Sequence, residues 1–102
     1  MAETDVVTTN VVVVEEHLEF TLVALCEASG AAPEQVRALV GEGLLTPSGE
    51  APPSWRFTGD ALPRTRRALR LASDLDLGMP GVALVMDLLA EIEQLRARLR
   101  RE

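Results

Sequence analysis

The stretch Thr21–Leu45, TLVALCEASGAAPEQVRALVGEGLL, constrains the fold of this chain more than any other. It reads as two short amphipathic helices joined by a tight turn, a helix-turn-helix. Thr21 is placed to cap the first helix. Leu22, Leu25 and Cys26 then recur at helical spacing, and Gly30 offers a terminal residue tolerant of positive φ. Pro33 opens the second helix at a position whose N–H would find no intrahelical partner. Glu34 and Gln35 fill its first turn, Val36, Leu39 and Val40 form its inward stripe, and Gly43 stops it. Such a unit ordinarily points to DNA, with the second helix in the major groove. Here that helix carries Glu34, Arg37 and Glu42, one cation between two anions, which opposes contact with phosphate.

Charge along the chain sharpens the contradiction. Residues 1–50 hold nine acids against one base, a net −8, while residues 51–102 hold nine bases against seven acids, a net +2. Every base is arginine. DNA readers draw much of their affinity from cationic contacts to phosphate. A helix-turn-helix in the acidic half suits a basic protein surface better, and no nucleic acid partner is expected.

A chain of 102 residues makes one small domain with a modest core. Its aromatics are Phe20, Trp55 and Phe57, so aliphatic side chains must supply most of that core. The single cysteine excludes an internal disulfide. Met1–Asn10 has two acids and no base, unlike a secretory signal, and the longest uncharged run is too short to span a bilayer. A cytoplasmic protein without membrane contact is expected.

Met1–Asp5 is polar and expected to fray, within a flexible arm over residues 1–10. Val6–Val14 is almost entirely β-branched and favours a strand, and alternation through Glu16, Leu18 and Phe20 would carry extended structure to Phe20. Glu15 and Glu16 would guard the valine run against aggregation. His17 lacks neighbouring ligands and is expected as an ordinary surface side chain. Thr46–Ser54 is a turn-rich loop before Trp55-Arg56-Phe57, the pattern of a wing whose strand would pair with the N-terminal strand. Trp55 is expected to anchor the core beneath that wing, a partner contact being the alternative.

Asp60 or Thr58 would cap a third helix with Leu62, Leu69, Ala72 and Leu75 inward and Arg64, Arg66, Arg67 and Arg70 outward. Its arginines read as a solvated face, with a phosphate-facing patch as the alternative. Gly78–Gly81 breaks the chain before a last helix on which Val85, Leu88, Ile92, Leu95 and Leu99 follow the a/d spacing of a coiled coil. Two heptads are marginal alone, so a homodimer through this seam is expected. Glu91 can meet Arg96 of a parallel mate or Arg98 of an antiparallel one, and both directions stay open. The organisation is thus an arm (1–10), a winged helix-turn-helix (11–77) and a C-terminal coiled-coil-type helix (78–102).

Little here carries chemistry. No phosphate-cradling loop, metal-ligand cluster or nucleophile triad assembles, and Cys26 lies on an apolar stripe as an inert thiol. A non-catalytic protein without cofactor or metal is expected. Phe20, Thr21, Cys26 and Gly30, then Val40, Gly41 and Gly43 with Pro47, then Trp55 and Phe57, then Arg67–Leu71, then Leu77, Pro80 and Gly81 together resemble the chaperone modulator family CbpM. That family is a small branch of the MerR-like winged helices, and the likeness runs from about Phe20 to Arg101. The resemblance implies a protein that binds the J-domain of a DnaJ-like co-chaperone and blocks its work with the Hsp70 chaperone. MerR-type DNA readers carry tyrosines where Ala38 and Leu39 stand here, and a Gly-Tyr-Arg wing where Ser54-Trp55-Arg56 stands. The acidic half should attract a J-domain's basic helix. The candidate partner-binding residues are Glu27, Glu34, Arg37 and Glu42. A MerR-like transcriptional regulator is the alternative.

Overall fold

The structure, a computed structural model, describes residues 11–14 and 17–102, with side chains from Leu18 onward. It is mainly helical with one small sheet: strands β1 (Val11–Val14), β2 (His17–Phe20) and β3 (Phe57–Thr58), and helices α1 (Leu22–Ser29), α2 (Pro33–Gly41), α3 (Ala61–Leu75) and α4 (Met79–Arg101).

The local signals of the helix-turn-helix act as the sequence suggests. Thr21 Oγ1 accepts from Ala24 N–H at 3.1 Å, capping α1. Gly30 ends that helix at φ 84°, a left-handed position that a side chain would strain. Pro33 opens α2, and Gln35 Oε1 accepts from Ala32 N–H at 2.9 Å. Beyond α2, Leu44 N–H reaches Leu39 O at 2.9 Å and Gly43 N–H reaches Val40 O at 3.0 Å, the paired bonds of a Schellman stop.

The N-terminal β-structure departs from the single extended run expected. β1 pairs antiparallel with β2, Val11 opposite Phe20 and Val14 opposite His17, so these residues form two paired strands and not one. Pairing supplies the ladder partner that an isolated strand lacks. β2 also pairs antiparallel with β3, giving the order β1-β2-β3 and setting Phe20 opposite Phe57. The expected partnership of N-terminal and wing strands therefore forms. The expected arm at 1–10, the extension of the strand to Val6, the gatekeepers Glu15 and Glu16 and the side chain of His17 lie outside the described residues.

The wing closes where Ser48 and Arg56 exchange two backbone hydrogen bonds of 3.0 Å. Gly49 sits inside it at φ 100°, where a Cβ would lie 2.4 Å from Ser54 O. Trp55 is half-buried against the core, its ring edge-on to Phe57 at 5.8 Å.

The core gathers Leu25, Val36, Leu39, Phe57 and Val82, each almost wholly shielded. Burying each such side chain contributes about 1.5–3 kcal/mol. α3 packs on α1 and α4, and α2 on α1 and α4. The buried face of α3 is Ala61, Thr65 and Ala68, whereas Leu75, expected inward, is exposed. Small residues at the contact let neighbouring helices approach closely, and the leucines flank it. Neither expected cap of α3 acts: Asp60 holds the N-cap position without a side-chain bond to the helix, and its carboxylate instead accepts from Thr58 Oγ1. The last turns of α3 and the first of α4 meet at Asp76, a left-handed cap at φ 55°.

Candidate protein-interaction surfaces

Two surfaces emerge, one on the helix-turn-helix and one on α4. Glu27, Glu34, Arg37 and Glu42 are all exposed. The first three each bear electrostatically on Cys26. Burial pushes the Cys26 thiol up from its ordinary pKa, Arg37 draws it down, and Glu34 and Glu27 raise it further. All three charges are thus within electrostatic reach of one sulfur, although they come from two helices. Glu42 stands apart at the other end of α2, where it forms the C-cap. An acid at that position faces the negative end of the helix dipole, whereas Glu34, in the first turn, faces the positive end. A raised pKa also keeps the thiol protonated, as suits an inert side chain.

On α3, two of the four arginines serve the fold. Arg64 Nη1 donates to Leu44 O at 3.1 Å, and Arg66 Nη2 to Ala28 O at 3.2 Å. The acceptors are a carbonyl in the last turn of α1 and one just beyond the end of α2, so this basic face helps to hold the acidic unit in place. Arg64 and Arg67 also border a groove of about 400 Å³ between α3 and α4, opposite Asp87 and Glu93. Its walls carry both signs of charge.

The first turns of α4 belong to the body, with Val82 and Ala83 buried. Beyond them the helix projects. Leu88, Ile92, Leu95 and Leu99 are between 43% and 70% exposed, a continuous apolar stripe. Val85, expected to begin the seam, is half-buried, and Leu84 is 60% exposed beside Leu88. Sequence reading missed Leu84, although its four-residue spacing from Leu88 was available to find it. Exposed Leu18 and Val23 were missed as well. Among the described residues, no group of three or more metal-ligating side chains assembles, and no helix is long and apolar enough to cross a membrane.

Two capped helices, a strand-paired wing and a projecting last helix make this a winged helix-turn-helix protein of MerR type. The model of the MerR HTH family regulatory proteins matches residues 20–101. The chaperone modulatory protein CbpM of Pseudomonas putida is 40% identical over 73 residues, 72% of each chain. That of Coxiella burnetii is 34% identical over 89 residues, 87% of this chain and 84% of the relative. The chain belongs to the CbpM family of chaperone modulatory proteins within the MerR-type helix-turn-helix fold.

Proposed function

We propose that this protein is a non-catalytic chaperone modulator that binds the J-domain of a DnaJ-like co-chaperone and inhibits its cooperation with Hsp70. A chaperone-modulating role follows the relatives' names. The observation that supports the partner is the charge exposed on α1 and α2, Glu27 and Glu34 near Arg37 with Glu42 at the far end of α2. A basic helix approaching it meets attractive potential, and duplex DNA meets repulsion. Glu27, Glu34, Arg37 and Glu42 form the contact, and the stripe on α4 joins two copies as a homodimer in the cytoplasm.

Purified J-domain titrated against the chain, with Hsp70 ATPase stimulation followed in parallel, tests the reading. Saturable binding with loss of stimulation is the expected result. A chain that leaves stimulation untouched, or that binds genomic DNA fragments sequence-specifically at nanomolar concentration, contradicts it and favours the transcriptional regulator.

A further inference from the structure

The groove between α3 and α4 plays no part in the contact proposed above. Its floor is apolar, formed by Leu44, Pro63, Met86 and Ala90, and about 400 Å³ stand open above it. Three carboxylates border it, Asp60, Asp87 and Glu93, against the guanidiniums of Arg64 and Arg67. Arg64 spends one N–H on Leu44 O, and Asp60 accepts from Thr58 Oγ1. Asp87, Glu93 and Arg67 form no ion pair among the described residues, so the facing walls carry opposite charges that do not close on each other.

The charge of the α4 wall is all acidic. Asp87, Ala90 and Glu93 follow at three-residue steps, which turns them to one side of the helix with Ala90 in the middle. At about 1.5 Å per residue the two acidic positions lie about 9 Å apart along the axis, and the methyl group between them leaves a notch. By helical phase this side is opposite Leu88, Ile92 and Leu95, so whatever covers that stripe leaves the groove open. An apolar floor below two carboxylates matches the build of a basic side chain, an aliphatic stem ending in a cation. A carboxylate placed there would meet both acids of α4, and an apolar side chain would strip them of water without pairing them.

We propose that this groove receives one lysine or arginine side chain from a helix of the partner protein, and that this contact sets how long the complex lasts. It rests on the protein-partner reading above and adds a second site to it. Glu42, at the far end of α2, stands two residues before Leu44, so the acids of α1 and α2 lead toward the groove. Exposed acids on α1 and α2 draw in a basic surface from a distance and govern encounter. A cation seated between two carboxylates and shielded from water governs release. Arg67, on the facing wall, limits the groove to one cation, because a second would be repelled.

Two measurements on the full chain test this. In the first, a short capped alanine peptide carrying one lysine is titrated into isotope-labelled protein and followed by NMR. Saturable shifts are expected at the amides of Asp87, Ala90 and Glu93, and none with glutamate in place of the lysine. Ala90→Leu fills the notch at an exposed position without changing charge or helix propensity greatly, and should abolish the shifts. Arg67→Gln removes the opposing cation and should strengthen binding. In the second, a purified J-domain is the probe. Ala90→Leu should speed its dissociation about tenfold, the low end for losing a shielded charge pair, with association within about twofold of wild type. Asp87→Asn with Glu93→Gln should speed dissociation likewise while leaving the groove open. Groove amides that ignore the lysine peptide, or an Ala90→Leu chain that releases the J-domain at the wild-type rate, overturn the proposal. A wild-type chain that takes the lysine peptide in the groove but no J-domain upholds the groove and overturns the J-domain reading instead.

Discussion

Arg66 Nη2 donates to the carbonyl oxygen of Ala28 at 3.2 Å, so the basic face of α3 closes the last turn of α1 across 38 residues of sequence. The last carbonyls of a helix lack intrahelical donors, and a guanidinium is well shaped to supply one. Arg66→Ala should therefore lower stability, by up to about 1 kcal/mol because the bond lies at the surface. Arg70→Ala, which removes no such bond among the described residues, should change it by less. Urea denaturation of both variants checks the contrast.

Thr65 is wholly buried on α3, and its hydroxyl has no hydrogen-bond partner among the described residues. A buried polar group without a partner costs about 1–3 kcal/mol. Thr65→Val keeps the shape and removes the hydroxyl, so it should raise the melting temperature. Thr65→Ser keeps the hydroxyl and removes a methyl, and should lower it. Differential scanning calorimetry of the pair decides.

Cys26 offers a pH test. Its thiol pKa is raised in the fold, mainly by burial, so the folded chain holds this proton to higher pH than the unfolded chain. The unfolded state binds fewer protons in the window between the two values, and stability falls there as pH rises. Alkylation by iodoacetamide should be slower in the native protein than in urea, and Cys26→Ala should flatten the fall in stability above the ordinary thiol pKa. Equal alkylation rates in both states would contradict the burial of this group.

What the sequence disclosed follows the range of the interactions involved. Thr21, Gly30, Pro33 and Gly43 act within one or two turns of themselves, so their roles were legible. The division into two paired strands, Val11–Val14 and His17–Phe20, was not, because no glycine, proline or asparagine interrupts the run and alternation through Phe20 imitates one long strand. Of the inward face expected for α3, Leu62, Leu69 and Ala72 do pack against the core and Leu75 does not, while weighting leucines passed over the fully buried Ala61, Thr65 and Ala68. Contact there is decided by how closely α1 and α4 approach, which no residue of α3 states alone. The caps at Thr58 and Asp60 failed for a related reason: the two satisfy each other. Of the interaction surfaces, exposure of Glu27, Glu34, Arg37 and Glu42 could be expected from helical phase. The electrostatic bearing of three of them on Cys26 depends on how α1 and α2 cross.

The stripe on α4 gives the fourth prediction. A small monomer that exposes Leu88, Ile92, Leu95 and Leu99 together would be prone to association. Ile92→Glu with Leu95→Glu should yield a folded monomer, because both positions lie beyond the turns that pack into the body. Wild-type chain sedimenting as a monomer at high micromolar concentration would contradict the dimer.

Association kinetics with a purified J-domain test the central claim most directly. Glu34→Lys with Glu42→Lys reverses two exposed charges on the acidic face. The first loses a favourable interaction with the dipole of α2 and the second removes an unfavourable one, so the fold should survive at nearly unchanged stability. Long-range attraction governs encounter, so the account predicts a slower association rate with little change in dissociation, and a wild-type rate that falls with salt. The same association rate in wild type and double variant at both low and physiological salt, with binding intact, would contradict it.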